Sequence, residues 1–573
     1  MSVHNPEIAA MFDRMALLLE IQGANPFRVR AYQNAARTVA GLSRSVADML
    51  REGQDLAKLP GIGRDLAGKI AEIAETGQFA ALRELETKVP AGLLELRRLP
   101  GLGPKRVKIL YDELGISDVT KLQRAARSHR IRALRGFGAK TEQQILEALS
   151  RSAQEERRHK LADVEEIARA YVDYLKAVPG IREIIVAGSF RRRKETVGDL
   201  DILVTCTKSS PVMKRFADYE EVETVVSQGT TRSAVVLRSG VQVDLRVVAQ
   251  ASYGAALYYF TGSKAHNVAV RTIAVKKNLK INEYGVFRGK RRIAGRTENE
   301  VFRSVGLRYI EPELREDRGE IEASRKNQLP NLVSVDDIRG DLHAHTDATD
   351  GHQTLREMAE AAQALGYEYL AITDHSKRVT IAHGMDEKRL RKQLDAIDRL
   401  NAKLRGFRIL KGIEVDILES GKLDLRDSVL KELDITVCAI HSGLGVSRTR
   451  QTERIIRAMD NPYFKILAHP TGRLINQRSA YDVDMERIMK AALERGCYLE
   501  LNAQPDRLDL NDVHCRMAKD MGLKLAISTD AHTTGNLHYM RFGVDQGRRG
   551  WLEPADVLNT RRWSELKKLL ARS

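Results

Sequence analysis

A chain of 573 residues is too long for one domain, and its 43% hydrophobic content is ample for several cores, about three to five compact units. Its 94 Lys and Arg outnumber 77 Asp and Glu for a net charge of +17, which makes a polyanion the natural partner, with nucleic acid ahead of acidic membrane. No apolar stretch approaches a membrane span, the polar N-terminus lacks a signal-peptide core, and Cys206, Cys438, Cys497 and Cys515 form no C-x-x-C pair, so a cytoplasmic protein with reduced thiols is expected.

Residues 1–150 read as nearly all helical, with apolar residues three and four apart. One pattern recurs there: L-P-G-I-G at Leu59–Gly63, L-P-G-L-G at Leu99–Gly103 and L-R-G-F-G at Leu134–Gly138, each ahead of a basic helix. They resemble helix-hairpin-helix motifs. Gly61, Gly63, Gly101, Gly103, Gly136 and Gly138 would let the backbone turn sharply and bring free helix-start amides to a DNA phosphate, without reading sequence. Residues 95–140 hold twelve Lys or Arg against four Asp or Glu, the most basic stretch of this half. A solvated charged face would explain the charges but not the glycines.

From Ile181 the pattern changes to strands. I-R-E-I-I-V-A leads into Gly188, Ser189, Phe190, Arg191 and Arg192, then into G-D-L-D-I-L-V. Asp199 and Asp201 stand two apart and share one strand face. A-V-V-L-R-S-G-V-Q-V-D-L-R-V-V predicts a hairpin with Asp244 on its second strand. Three carboxylates on neighbouring strands are what two magnesium ions need. With G-S-F-R-R ahead of it, the D-x-D resembles the nucleotidyltransferase signature, and Y-F-T-G-S-K-A-H-N-V-A-V-R from Tyr259 narrows the resemblance to the family X DNA polymerases, the group of DNA polymerase beta. The resemblance implies that Asp199, Asp201 and Asp244 bind the metals and that Gly188, Ser189, Arg192 and Gly198 cradle the deoxynucleoside triphosphate. Tyr259, Phe260, Gly262 and Asn267 would line the sugar and base pocket, and Arg271 would contact the nascent pair or template. Lys69 falls where that family has the Schiff-base lysine of a 5'-deoxyribose phosphate lyase. Arg28 and Tyr32 match the rest of that pocket, but Asp65 replaces a basic residue. Residues 311–339 mix charges with Pro312, Pro330 and little periodicity, as a linker would.

The last segment runs through D-L-H-A-H-T, I-T-D-H, G-I-E-V, A-I-H-S, L-A-H-P and S-T-D-A-H, and in five of these six motifs a short apolar run delivers the polar residue. His343, His345, Asp350, His375, Glu414, His441, His469, Asp530 and His532 thus stand at predicted strand ends or nearby. Helical stretches such as Leu355–Leu365 alternate with the strands, the layout of a barrel-like α/β fold with a multinuclear metal site. Imidazole with carboxylate suits zinc, manganese or iron. This order resembles the PHP superfamily, the polymerase and histidinol phosphatase domains, over residues 340–573. The resemblance implies a distorted β/α barrel with three metals: one on His343, His345, Glu414 and Asp530, a second on Glu414, His441 and His469, a third on Asp350, His375 and His532. Asp350 stands where the family pattern has histidine.

Taken together, the chain resembles a bacterial family X polymerase with a C-terminal PHP domain, a multidomain α and α/β fold. The expected domains are a lyase-like helical domain (1–85), helix-hairpin-helix fingers (86–150), a nucleotidyltransferase palm of mixed β-sheet and helices (151–250), a thumb that selects nucleotide (251–315), a linker (316–339) and the PHP barrel (340–573). The resemblance implies a monomeric enzyme that fills gaps in nicked or gapped DNA during base excision repair. Its PHP site would use manganese or zinc, up to three ions, as a 3' to 5' exonuclease with AP-endonuclease activity as a further expectation. Two alternatives stand beside it: a nucleotidyltransferase for a non-DNA substrate fused to a small-molecule phosphatase, and a non-catalytic DNA-binding scaffold.

Overall fold

The computed structural model describes residues 5–42, 44–90, 92–96, 102–150 and 158–571. The chain divides into two compact units, Met1–Arg157 and Arg158–Ser573. No helix among the described residues is long and apolar enough to cross a membrane.

The first unit is helical throughout its described residues. Its helices follow the apolar spacing: Arg64–Thr76 buries Leu66, Ile70, Ile73 and Ala74 along one face. The rings of Phe12, Tyr32 and Phe79 meet in its core, Phe12 stacking on Phe79 at 5.4 Å. Two glycine repeats share one backbone. Leu59 and Leu134 accept hydrogen bonds from the amides of Ile62 and Phe137, across turns whose third residue is Gly61 (φ 73°) or Gly136 (φ 84°). Side chains avoid that left-handed region, which is why glycine stands there. A short 3-10 turn, Leu56–Lys58 or Ile131–Ala133, precedes each, and a helix, Arg64–Thr76 or Ala139–Ser150, follows. In the last hairpin the buried Glu142 ties helix to turn through the Arg132 amide (2.9 Å) and Nε (2.6 Å). Of the middle repeat, Leu99, Pro100 and Gly101 lie outside the described residues, while Gly103 immediately precedes the helix Pro104–Leu114.

The second unit begins with a five-stranded mixed sheet: β1 (Ile181–Val186), β2 (Asp199–Cys206), β3 (Val222–Gln228), β4 (Arg232–Leu237) and β5 (Gln242–Val247), in the order β1-β2-β5-β4-β3. β2 and β5 are parallel and the other neighbours antiparallel, so β4 and β5 form the predicted hairpin. Helix Leu161–Lys176 covers the sheet through Leu161, Val164, Tyr171 and Leu175.

Farther along, β6 (Gly340–Asp341), β7 (Tyr369–Ile372), β8 (Arg408–Lys411), β9 (Glu414–Asp416), β10 (Val437–Ala439), β11 (Ile466–Leu467), β12 (Tyr498–Asn502) and β13 (Leu525–Ser528) pair in parallel. β8 and β9 are halves of one bent strand interrupted at Gly412, where a side chain would meet the Ile372 carbonyl at 2.6 Å. Bridges His375 to Glu414 and Ala344 to Ala531 complete the ring. The result is a distorted parallel barrel. Its strands are buried on both faces because helices such as Leu355–Ala364 and Met485–Glu494 pack outside them. Parallel strands bring all their C-terminal ends to one mouth, and the ligand motifs with them.

Residues 311–339 depart from the expected linker. They contain the turn Pro312–Leu314 and the helix Glu320–Lys326, and Arg315 and Glu320 are fully buried. Their charges are paired within the fold: Arg315 bonds Glu298 at 2.6 Å, and Glu320 meets His266 Nδ1 at 2.7 Å and the amides of Asp317 and Arg318. Mixed charge, read as part of a linker's signature, here marks buried pairs.

Candidate active sites

β2 carries Asp199 and Asp201 on one face, and the register sets Asp244 of β5 directly beside Asp201. Asp199 is exposed, Asp201 half-buried and Asp244 buried. Burial, then the charges of Asp199 and Asp244, push Asp201 up to about 7. Crowding of that kind calls for cations. Asp244 already draws Arg232 Nη2 to 3.1 Å and Gln242 Nε2 to 2.8 Å. Gly188 (φ 63°) opens the short helix that carries Ser189, and a side chain at Gly188 would stand 2.6 Å from the Asp201 carboxylate. Gly198 lies against the Arg158 guanidinium just before β2.

Arg192 joins this loop to the Tyr259–Gly262 segment. Its Nη1 donates to the Thr261 carbonyl at 2.5 Å and its Nε to Glu316 Oε1 at 3.1 Å, while a side chain at Gly262 would lie 3.2 Å from Nη1. Tyr259 and Phe260 end one helix and Asn267 and Arg271 lie on the next. Asn267 Nδ2 donates to the Tyr259 carbonyl at 2.8 Å, and its Oδ1 is buried without a partner. The Arg246 guanidinium covers the Phe260 ring at 4.3 Å, and Arg271 is exposed.

The second cluster fills the barrel mouth. His343 and His345 follow β6, Asp350 sits in the next loop, His375 follows β7, and Glu414 opens β9. His441, His469 and the pair Asp530 and His532 follow β10, β11 and β13. Three sets of donor atoms converge within 4.8 Å: His343, His345 and Asp530; His375, Glu414 and His441; His345, Asp350, His375 and His532. Glu414 faces five imidazoles. Its Oε1 lies 3.1 Å from His469 and 3.3 Å from His441, and its Oε2 lies 2.8 Å from His375, 3.6 Å from His343 and 3.7 Å from His345. His375 therefore stands between Glu414 and Asp350, the latter at 3.3 Å, rather than in the third set alone.

The donors fit divalent cations. His343 Nε2 and His345 Nδ1 are buried without hydrogen-bond partners, which is costly unless something takes up their lone pairs. Burial, then the charge of His375, draws His345 down to about 4, which keeps it neutral and able to coordinate. Burial works against ionised Glu414, but His375, His441 and His343 outweigh it and hold its carboxyl well below the usual range. His469 (φ 26°) and Asp530 (φ 52°) have left-handed backbones, a strain of about 1–3 kcal/mol each that concentrates at this site.

Sequence reading passed over the residues that orient these ligands. Glu500 Oε1 holds His343 Nδ1 at 2.7 Å, and its Oε2 accepts from the His469 amide at 2.7 Å. Asp416 holds His441 Nδ1 at 3.2 Å, and Asp374 accepts from Thr346, Thr349 and Gln393. Partners such as Glu500 and Asp416 fix a histidine's ring and tautomer, and Asp374 fixes the loop that follows His345. Asp374 adjoins His375 and Asp416 lies two beyond Glu414, so their signal was at hand. Glu500 is a lone charge inside an apolar strand.

In the first unit Lys69 Nζ donates to Asp65 Oδ2 at 2.6 Å and lies 5.4 Å from the Tyr32 ring centroid, while Arg28 is exposed. Burial alone would lower the Lys69 pKa, but Asp65 and Tyr32 outweigh it and hold it above the ordinary value. Gly63 and Gly103 start their helices without side-chain caps, which leaves backbone donors available to a phosphate.

Comparison with known proteins agrees with this layout. Family models match the helix-hairpin-helix domain at residues 3–79, a SAM-like helix-hairpin-helix tandem at 93–151, the DNA polymerase beta palm at 158–241, the DNA polymerase beta thumb at 256–316 and the PHP domain at 341–504. The chain is 37% identical over 576 residues, all of both proteins, to the DNA polymerase/3'-5' exonuclease PolX of Bacillus subtilis (strain 168). It is 27% identical over 344 residues to DNA polymerase lambda of Rattus norvegicus, covering 55% of this chain and 56% of that protein. Over 232 residues it is 33% identical to a probable phosphatase of Thermoanaerobacter sp. (strain X514), covering 38% of this chain and 89% of the phosphatase. The chain belongs to the bacterial family X DNA polymerases that carry a PHP domain.

Proposed function

We propose that this chain fills short DNA gaps from deoxynucleoside triphosphates at the palm and removes 3'-terminal nucleotides at the barrel mouth, in the setting of base excision repair. The full-length similarity to a protein named for both activities carries this reading. The two clusters, held by different sheets, support it. Bound divalent cations, magnesium at the palm and manganese or zinc at the barrel, neutralise phosphate charge and provide Lewis acidity. At the palm, Asp199, Asp201 and Asp244 hold the cations, Gly188 and Ser189 present backbone to the triphosphate, and Arg192 turns to it from Glu316. Asn267 positions the Tyr259 backbone beside the sugar, and Arg271 meets the base pair. At the barrel, His343, His345, Asp350, His375, Glu414, His441, His469, Asp530 and His532 would hold up to three ions, and the same centre would act on abasic sites. The enzyme works as a cytoplasmic monomer. Primer extension and end trimming on one gapped duplex, with magnesium or manganese, tests the reading. Extension without trimming would remove the exonuclease, and release of phosphate from small monoesters alone would favour a phosphatase like the Thermoanaerobacter relative.

The helix-hairpin-helix repeats hold the DNA backbone in this reading. Affinity for a gapped duplex should drop on the order of a thousandfold from about 50 to about 200 mM salt, as phosphate contacts displace condensed counterions. Fluorescence anisotropy across that range measures it, and a flat profile would contradict the hairpin reading.

Lyase activity at Lys69 is the third element of the proposal. A primary amine attacks the sugar aldehyde only once deprotonated, and Asp65 keeps Lys69 protonated. Borohydride trapping on an incised abasic site should therefore rise with pH, rise at neutral pH in Asp65→Ala, and vanish in Lys69→Ala. An undiminished adduct in Lys69→Ala would place the nucleophile elsewhere.

A further inference from the structure

The helix Met540–Arg549 belongs to the barrel domain, yet it packs against the loop that follows Gly188 and Ser189 in the palm. Phe542 is buried in the palm core. Along that loop, Arg193 Nε meets Asp545 Oδ2 at 2.6 Å, and Glu195 Oε2 receives Arg473 Nη2 at 2.7 Å. The Arg192 carbonyl accepts from Arg549 Nη1 at 2.8 Å. The same nitrogen lies 3.2 Å from Glu316 Oε1, the oxygen that Arg192 Nε reaches at 3.1 Å. Two arginines from different domains thus share one carboxylate oxygen. The arrangement is enclosed, with the side chains of Arg192, Glu316 and Arg549 12%, 13% and 3% exposed. Arg549 Nη2 is anchored on Asp512 Oδ2 at 2.7 Å, which also holds Arg318.

We infer that Arg549 is a positioning residue for the incoming nucleotide: by sharing Glu316 with Arg192 it keeps that carboxylate paired, and so frees the Arg192 guanidinium to turn to the triphosphate. The inference rests on the reading of Arg192 as a triphosphate ligand. A buried carboxylate stripped of its partner is heavily penalised, so if Arg192 were its main counter-ion, nucleotide binding would have to strand Glu316. Burial would push Glu316 up, yet Arg549 and Arg192 hold it at about 2, so it remains an anion that needs a cation at every stage. Lys194 lies in the same field, but burial draws its pKa down and makes it the weaker substitute. Arg549 is fixed at its other end by Asp512, so it stays when Arg192 leaves.

Steady-state extension on a gapped duplex, with the full chain, tests this. Arg549→Gln should raise KM for the deoxynucleoside triphosphate about tenfold while kcat changes about twofold or less. Glu316→Gln alone should lower KM, and in the Arg549→Gln background it should return KM to near the parent value, since no anion then competes for Arg192. Trimming of single-stranded DNA by Arg549→Gln reports whether the barrel remains folded. Parallel loss of kcat, trimming and thermal stability, without rescue by Glu316→Gln, would make Arg549 merely structural and overturn the inference. If Arg549→Gln does not fold, Glu316→Gln decides alone, and an unchanged or higher KM contradicts the inference. An unchanged KM in Arg192→Ala would remove the triphosphate reading itself. A raised KM there with a normal KM in Arg549→Gln would remove only the inference.

Discussion

Replacing Asp201 with alanine should cut nucleotide addition by about a thousandfold or more, on the order of 4 kcal/mol of transition-state stabilisation, while 3'-end trimming continues. Asp201 lies between the other two carboxylates, next to Asp199 along β2 and paired with Asp244 across the parallel register. Burial, and after it the charges of Asp199 and Asp244, raise its pKa. Removing the central member leaves Asp199 and Asp244 without a common neighbour, and the cation field that must offset triphosphate charge collapses. Primer extension with the variant measures the loss, and extension at the parent rate would end the palm assignment.

Glu414→Ala should do the converse: abolish trimming, lower bound metal by more than one ion, and leave gap filling intact. The geometry accounts for the multiple loss, since one carboxylate oxygen faces His441 and His469 and the other His375, His343 and His345. Five imidazoles at once lose the carboxylate they face. Metal analysis by mass spectrometry alongside a trimming assay checks both parts, and loss of a single ion with full nuclease activity would contradict the bridging role. His538 is exposed and serves as a control. His514, equally remote from the motifs in sequence, does not: it is enclosed beside Arg473 and Asp512, and burial draws its pKa to about 4.

Most of the proposed barrel ligands were legible because a short apolar run ends at or beside them, whereas Asp350 lies in a polar loop and was picked out only by its place in the motif order. Alternation put Asp199 and Asp201 on one strand face and Asp244 on a hairpin, and the G-S-F-R-R motif ahead of them suggested their role. The glycine turns were legible from a recurring motif, and Gly61 and Gly136 owe their identity to positive φ. What could not be read was long-range. Glu500 reaches His343 across 157 positions and Arg549 reaches Glu316 across 233, and no local pattern announces either. The division of β8 from β9 at Gly412 depends on how closely a neighbouring strand passes. Residues 311–339 read as linker because sequence displays charge without its partners, whereas Arg315 and Glu320 find theirs in the thumb.

On the proposed reading, one chain carries two separable divalent-cation centres, one that adds nucleotides and one that removes them. An end-labelled primer on a single gapped duplex, followed with parent, Asp201→Ala and Glu414→Ala proteins under the same metal and nucleotide, tests it most directly. The expected result is a primer that only shortens with Asp201→Ala, only lengthens with Glu414→Ala, and does both with the parent. Loss of both reactions in either folded variant, or of neither, would contradict it.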